Sequence, residues 1–265
     1  MSTVLQVSDT HFGTEQSAVV EALVVFAQQQ KPDLLLLSGD ITQRARPEEF
    51  RAARAFVDRL GVPFLAIPGN HDIPLFNIWK RLRAPYSRHI AAFGCDLEPI
   101  HTSPELLVVC VNTTRAWRHK NGDISAHQID RVARLLADAS DAQLRIVLVH
   151  QPVAVTRAED MQNLLRGHGA AVHRWAEAGV DIVMGGHIHL PYVKQLHGTS
   201  RPASAVQAGT AVSSRVRMGA PNSVNVLRWG SVSPPGCCAI EQWDFSAAER
   251  AFMLATVTQI RPARR

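Results

Sequence analysis

Cysteine is scarce in this chain of 265 residues, which has four, at positions 95, 110, 237 and 238. They form no C-x-x-C pair of the kind that binds zinc. The adjacent pair, Cys237 and Cys238, has a poor geometry for an ordinary disulfide. The pattern therefore excludes a small disulfide scaffold and favours a reducing, cytoplasmic location.

Long apolar runs and aromatic residues are also in short supply. No run approaches the roughly 18–20 residues that span a bilayer, and no basic segment with an apolar core precedes the first strand pattern. We therefore expect neither a membrane span nor a signal peptide. Aromatic residues make up 6% of the chain, which gives little support for a platform that stacks nucleic-acid bases.

What is present is ordinary for a soluble globular protein, with 46% hydrophobic and 19% charged residues. The net charge of +5 is carried by arginine, because lysine occurs only four times. A basic protein attracts an anionic substrate by electrostatic steering. A coding bias toward arginine and alanine explains the same excess, and the sequence leaves both interpretations open.

Hydrophobic periodicity divides the chain into two parts. The first alternates strands at residues 3–8, 34–38, 63–67, 105–111, 145–149 and 181–184 with helices at 17–30, 47–60, 126–138 and 170–178. Later strands at 192–196, 205–208, 223–229, 238–245 and 251–258 are joined by turns, one of them at 230–236. This order predicts an α/β fold in which two sheets form a sandwich flanked by helices.

Five of the apolar strands run directly into side chains that can bind metal or transfer protons. The clusters are Asp9-Thr10-His11, Gly39-Asp40, Gly69-Asn70-His71-Asp72, His150 and Gly186-His187-Ile188-His189. Sites in open α/β sheets lie outside the carboxyl ends of the strands, so we expect these clusters to converge. Each cluster alone is weak evidence, since surface Asp and His are common and Gly-Asp is usually a turn.

The residue types in these clusters suit a pair of metal ions. Carboxylate, imidazole and amide oxygen ligands fit Mn, Fe or Zn. Two such ions can bind phosphate oxygens and activate a water, and Asp40 is the natural bridge between them. Five of the twelve histidines fall in the clusters. We interpret the other seven as surface or core residues, namely His89, His101, His119, His127, His168, His173 and His197.

In their order and spacing, the five clusters resemble the motifs of the calcineurin-like metallophosphoesterases over roughly residues 3–190. The runs SGDIT at 38–42 and GNHDIP at 69–74 are similar to those of class III cyclic nucleotide phosphodiesterases and related glycerophosphodiesterases. This resemblance implies a four-layer αββα sandwich of two mixed β-sheets. From the strand and helix pattern we expect a single metallophosphoesterase domain over residues 1–260, followed by a basic tail at 261–265.

The resemblance also implies a role for each cluster residue. Asp9, His11, Asp40 and His189 would hold one metal ion, and Asp40, Asn70, His150 and His187 the other. His71 would face the substrate phosphate and protonate or stabilise the leaving oxygen, with Asp72 orienting it. The implied reaction is hydrolysis of a small phosphodiester, of cyclic nucleotide or glycerophosphodiester type, by a metal-bridging hydroxide.

Three other functions stay open at this point. A phosphomonoesterase needs the same metal core. A nuclease would use the arginines at 44, 46, 51, 54 and 59 and the basic residues at 80, 81, 83 and 88 to track phosphates. We favour solvated helix faces for these groups, so nucleic acid is not an expected partner. A non-catalytic scaffold predicts missing ligands, whereas all of them are present.

Two segments have no decided role. Residues 112–115 (Asn-Thr-Thr-Arg) follow an apolar strand and either supply polar groups to the pocket or form a plain loop, which we favour. Residues 73–93 form a lid, a homodimer contact, or a connection packed by Leu75, Phe76 and Trp79. No motif is recognisable after residue 190.

Overall fold

The computed structural model describes residues 2–230 and 236–264. Within them the strands are β1 (Ser2–Val7), β2 (Leu34–Leu37), β3 (Phe64–Ala66), β4 (Ile100–Thr102), β5 (Leu106–Cys110), β6 (Leu144–Leu148), β7 (Ile182–Gly185), β8 (Tyr192–Gln195), β9 (Ser204–Gln207), β10 (Ser223–Trp229), β11 (Cys238–Ser246) and β12 (Ala251–Ile260). The helices are α1 (Ser17–Gln30), α2 (Pro47–Leu60), α3 (Ile78–Arg83), α4 (Ser87–Phe93), α5 (Ala126–Ala137) and α6 (His168–Ala178). Short 3-10 helices occupy Asn70–Asp72 and Ala158–Asn163. The interior of the turn predicted at 230–236 lies outside the described residues.

The strands form two six-stranded mixed sheets. The first has the order β12-β11-β10-β1-β2-β3, with β1, β2 and β3 parallel and the other three strands joined antiparallel. The second has the order β4-β5-β6-β7-β9-β8, with four parallel central strands and an antiparallel strand at each edge. Early and late parts of the chain therefore share both sheets.

Apolar side chains pack in three layers between these elements. One cluster joins α1 and α2 to the outer face of the first sheet through residues such as Leu23 and Phe56. Another joins α5 and α6 to the second sheet around the fully buried Trp175. The third fills the space between the sheets and includes Leu36 and Ile146. The predicted four-layer αββα sandwich is confirmed.

Local sequence explains where the longer helices begin and end. Helix α2 has Pro47 at its start, and Gly61 closes it in the left-handed conformation at φ +65°. Helix α5 has a capping box, in which Ser125 accepts from the Gln128 backbone and the Gln128 side chain accepts from Ser125 N. The bounds predicted for α1 and α2 are confirmed to the residue.

Sequence periodicity did not detect β4, α3 and α4. The packed-connection interpretation of residues 73–93 was wrong, because Phe76 and Trp79 are 76% and 71% exposed. The segment is held by polar contacts, in which Arg81 donates to the Arg118 carbonyl and Tyr86 to the Thr114 carbonyl, and by the buried Ile73 and His89. Across the described residues, every helix is too short or too polar to cross a membrane.

Candidate metal centre

All five predicted clusters meet at one end of the sandwich. The loops after β1 and β2 run side by side, with Asp9 N bonded to Gly39 O at 3.1 Å and His11 N to Asp40 O at 3.0 Å. The second sheet contributes the loops after β6 and β7, which are joined by a bond from Gly186 N to His150 O at 2.9 Å. Convergence of the clusters therefore draws on both sheets.

The backbone at this end is locally strained. Five residues of the clusters have positive φ, namely Asp9 (51°), His11 (42°), Asp40 (48°), His187 (75°) and His189 (55°). The left-handed region costs roughly 1–2 kcal/mol for a residue with a Cβ. Such outliers concentrate at functional sites, where surrounding structure holds them in place. Here they turn side chains from sequential loop positions toward a common centre.

The first group of potential ligands is Asp9, His11 and His189. Their donor atoms lie within 4.8 Å of one another. The Nε2 atoms of His11 and His189 are 3.1 Å apart, and Asp9 Oδ1 lies 3.3 Å from His189 Nε2. Asp9 and His11 are fully buried. The group has the donors and the spacing to surround one cation.

The second group is Asp40, His150 and His187, again within 4.8 Å. Asp40 Oδ1 lies 3.3 Å from His150 Nε2, while its Oδ2 lies 3.8 Å from His11 Nε2. The two oxygens of this buried carboxylate thus face different groups. This is the arrangement that a bridging ligand between two ions requires.

Several buried polar atoms at the centre lack a hydrogen-bond partner among the described residues. They include Asn70 Oδ1 and both ring nitrogens of His187. A buried polar atom without a partner costs about 1–3 kcal/mol, and a metal ion removes that cost at a lone-pair donor. Burial and the nearby charge of His150 lower the pKa of His187 to about 3, so the ring stays neutral. The residues therefore fit a metal centre.

Hydrogen bonds to main-chain carbonyls orient two of the histidines. His150 Nδ1 lies 2.8 Å from Ser38 O, and His189 Nδ1 lies 2.6 Å from Arg215 O. Because a carbonyl oxygen only accepts, each Nδ1 carries a hydrogen, and Nε2 is the ring nitrogen that faces the centre. Contacts of this kind fix the orientation of metal-binding histidines.

Both central carboxylates are held ionised. Burial alone raises the pKa of Asp9 and of Asp40, but opposite charge and hydrogen bonds outweigh it. His189 supplies the largest opposing effect at Asp9 and His150 at Asp40, and both carboxyl pKa values fall below the ordinary value. Both carboxylates therefore favour a positive charge beside them, which a proton on His189 or His150 or a bound cation can supply.

His71 lies beside both groups and faces the cavity. Its donor atoms are close enough to His11 and Asp40 for these three residues to form a further potential metal-binding group. Its backbone N–H donates to Asp40 Oδ1 at 2.8 Å, and Nδ1 lies 2.9 Å from Gln43 O. Gln43 therefore orients the ring, with Nε2 left toward the cavity.

The resemblance implies that Asp72 orients His71, but the described hydrogen bonds of Asp72 go to groups other than the His71 ring. Its carboxylate accepts from the backbone of Ile41, Thr42 and Gly69 and from the Thr42 hydroxyl, at 2.8–3.0 Å. Burial, followed by the charge of Asp40, raises the pKa of Asp72 to about 6 against these hydrogen bonds. Asp72 thus ties two loops of the centre together and positions His71 through the backbone.

A cavity of about 740 Å³ opens over the centre. Besides six cluster residues, its lining includes residues that sequence reasoning missed as site components, namely His119, Lys120, Asp160, Asn163, Arg215, Val216 and Arg217. The apolar run predicted at 205–208 was a sequence signal for three of them. It forms β9, which is parallel to β7, so the carboxyl ends of both strands lie at the same edge of the sheet. The loop after β9 carries Arg215, Val216 and Arg217.

Residues 112–115 are absent from the described lining of this cavity. Asn112, Thr113 and Thr114 are buried, and Thr113 donates to Gln151 Oε1 at 2.6 Å. Tyr86 covers Thr114 through its hydroxyl. The structural role favoured from the sequence, a loop without pocket groups, agrees with these contacts.

Known proteins are similar to this chain in sequence and in fold. Residues 2–191 match the family described as calcineurin-like phosphoesterase. A probable cyclic nucleotide phosphodiesterase of a Synechococcus strain is 27% identical over 222 residues, which is 77% of this chain and 81% of that protein. A glycerophosphodiester phosphodiesterase of Enterobacter lignolyticus is 26% identical over 58% of each chain. In the zebrafish Danio rerio, a dimetal phosphatase superposes with a TM-score of 0.70 over 99% of both chains at 15% identity, a likeness of fold.

Fold, ligand set and sequence match define a metal-dependent phosphoester hydrolase. The chain belongs to the calcineurin-like phosphoesterases, as its match over residues 2–191 establishes. The family uses a dinuclear metal centre, and the described residues include groups of candidate ligands around Asp9 and around Asp40.

Proposed function

We propose that this protein hydrolyses a small phosphodiester, of cyclic nucleotide or glycerophosphodiester type, with two ions of Mn, Fe or Zn. The observation that carries the proposal is the position of Asp40. Its two carboxylate oxygens face separate donor groups at the floor of an open cavity. A paired centre of this kind suits displacement at phosphorus.

In the proposed centre, one ion is held by Asp9, His11, Asp40 and His189, and the other by Asp40, Asn70, His150 and His187. When bound, the ions supply a water-derived nucleophile at neutral pH and stabilise charge on the phosphate. The unpartnered Asn70 Oδ1 and His187 nitrogens support this assignment, because ion binding would satisfy them. Ser38 and Arg215 carbonyls keep the ligating histidines in one tautomer.

In this proposal His71 protonates or stabilises the leaving oxygen of the ester. Its Nδ1–H is engaged with the Gln43 carbonyl, so proton exchange with substrate occurs at Nε2. Asp72 keeps the loop of His71 against the loop of Asp40 through Ile41, Thr42 and Gly69. The ring is thereby held next to the point where the ester bond breaks.

Cavity size and relatives support a small diester. A volume of about 740 Å³ falls in the range of small-molecule sites, roughly 300–1,000 Å³. Two of the similar proteins, named as a cyclic nucleotide phosphodiesterase and a glycerophosphodiester phosphodiesterase, act on small diesters according to their names. The cationic Lys120 and Arg215 in the wall suit a phosphate-containing substrate.

The test is hydrolysis by protein stripped with chelator and reloaded with Mn, Fe or Zn. Substrates are 3′,5′-cyclic nucleotides, glycerophosphodiesters, 4-nitrophenyl phosphate and DNA. We expect two ions per chain, cleavage of the small diesters, and loss of both metal and activity in Asp40→Ala. Full activity of the chelated protein or of Asp40→Ala would contradict the proposal.

The same panel separates the alternatives. Preference for the monoester would establish a phosphomonoesterase, and cleavage of DNA a nuclease. Ion pairs weigh against the nuclease, because Arg54 and Arg59 on α2 are paired with Asp58 and Glu21. Two bound ions with no turnover on any substrate would indicate a scaffold.

The remaining expectations stay predictions. They are a homodimer, a cytoplasmic location, and the division into a domain over 1–260 and a basic tail at 261–265. Within the tail, Arg264 forms an ion pair with Asp181 at 3.2 Å. Exposed apolar side chains on and before α3 are the natural place to look for a contact between two copies.

A further inference from the structure

Arg215 is a charged residue whose side chain lies beside His11 and His71 at the candidate metal centre. Its Nη1 lies 3.2 Å from His11 Nδ1, 3.2 Å from His71 Nε2 and 3.0 Å from Gln43 Oε1. None of its described hydrogen-bond partners is a carboxylate. A guanidinium keeps its positive charge in a protein, and here no carboxylate among its described hydrogen-bond partners neutralises it.

A second arginine of the same loop gives the contrast. Arg217 Nη1 lies 2.9 Å from both carboxylate oxygens of Asp160, and its Nη2 lies 2.6 Å from Glu159. Its charge is therefore matched by protein groups. Arg215, two positions earlier, keeps its charge for a partner outside the chain.

The loop is built to hold Arg215 in place. Its backbone N–H donates to Ser213 Oγ at 3.1 Å, and that hydroxyl lies 2.8 Å from Thr210 Oγ1. Thr210 in turn donates to the carbonyl of Asp9, and Asn222 donates to the carbonyl of Ser213. Ser213 and Thr210 are buried. Such a network presets the position of a side chain before a ligand arrives.

We propose that Arg215 is a substrate-binding residue that donates to a non-bridging oxygen of the phosphate. The inference rests on the proposed function, because it assigns a residue to that reaction. His71 Nε2 faces the leaving oxygen in that proposal, so a phosphate in contact with His71 comes within reach of Arg215 Nη1. The negative charge on phosphate oxygens increases as the nucleophile adds, and a fixed guanidinium stabilises that change.

The test measures phosphate binding apart from turnover. Inorganic phosphate is titrated calorimetrically into metal-loaded protein, and metal content is determined by mass spectrometry. For Arg215→Ala we expect unchanged metal content and a dissociation constant for phosphate raised by about 10- to 100-fold, the loss of one charge-assisted bond. Arg215→Lys keeps the charge without the planar fork, so an intermediate value is expected.

Met218→Ala is the control for disturbance of the loop, because this side chain is 92% exposed, and it should bind phosphate as wild type does. The Arg215 carbonyl that holds His189 survives in Arg215→Ala. Loss of metal in that variant would show a structural role and overturn the inference. Unchanged phosphate affinity would overturn it as well. If wild type binds phosphate through Arg215 but cleaves no ester, the proposed function fails and only the phosphate contact of Arg215 stands.

Discussion

Gly69 and Asp40 lie so close that a methyl group on the Gly69 α-carbon would overlap the backbone nitrogen and Oδ1 of Asp40. The nearest atoms belong to backbone and to the proposed bridging carboxylate, so neither can move without displacing the centre. The glycine is therefore required by the approach of two loops.

Gly69→Ala should weaken metal binding by roughly tenfold or more, since comparable changes around metal ligands cost 10- to 100-fold. Metal titration with activity measured in parallel checks this. Gly169→Ala is the matched control, because a Cβ there meets nothing within 4 Å. Equal metal affinity in the two variants would contradict the account of Gly69.

His71→Ala and Asp40→Ala should separate catalysis from metal binding. We expect His71→Ala to keep both ions and to lose about 10²- to 10⁴-fold in kcat, the usual contribution of acid–base catalysis. Asp40→Ala should lose metal and turnover together. The measurement is metal content beside steady-state kinetics. The donor atoms of His71 also lie within metal-binding range of His11 and Asp40. Loss of an ion in His71→Ala would therefore show that His71 is a metal ligand.

Asp72→Ala should destabilise the fold by about 3 kcal/mol or more. Three backbone N–H groups and one hydroxyl would lose their acceptor in a buried place, each at a cost of about 1–3 kcal/mol before relaxation. Urea denaturation measures the change in unfolding free energy. Asp72→Asn keeps one carbonyl oxygen, so its stability should fall between those of wild type and Asp72→Ala. Wild-type stability in Asp72→Ala would show that the loops are held otherwise.

His89 should make stability depend on pH. Burial lowers its pKa to about 4 from 6.5, while the Ala66 carbonyl acts in the opposite direction. Between these values the unfolded chain binds a proton that the folded chain does not. His89 therefore lowers the unfolding free energy as pH falls from about 6.5 to about 4, by about 3 kcal/mol in total.

The measurement is urea denaturation of wild type and His89→Leu across that pH range. Phe50 and Phe93 surround the ring, so leucine suits the site. Other groups titrate equally in both proteins, and the difference between them isolates His89. A difference that does not change with pH would refute the assignment.

Two tryptophans test the description of the surface and the core. Trp79 is 71% exposed on α3, whereas Trp175 on α6 is fully buried. Trp79→Ala should change the unfolding free energy by no more than about 0.5 kcal/mol, and Trp175→Ala should lower it by about 3–5 kcal/mol. A large loss in Trp79→Ala would mean that the α3 segment is packed in solution, against this chain or against a second copy.

Much of the fold could be predicted from the sequence because its signals are local. The Leu run of β2 and the Pro–Gly boundaries of α2 depend on neighbours within one element. Strand β4 was missed for the same reason, since its three residues, Ile100–Thr102, carry no period. Exposure of Phe76 was misjudged because its surroundings are set by distant parts of the chain.

The sequence by itself determined which donor groups are available, in what order, and after which strands. Only the tertiary structure decided that Asp40 faces both donor groups. It also decided that Asp72 accepts hydrogen bonds from the loop of Asp40 and has none described to the His71 ring. It also brought Arg215 to His11 across 204 positions of sequence. The physical reason is that ligand chemistry belongs to single residues, whereas distances between residues far apart in sequence follow from how the two sheets pack.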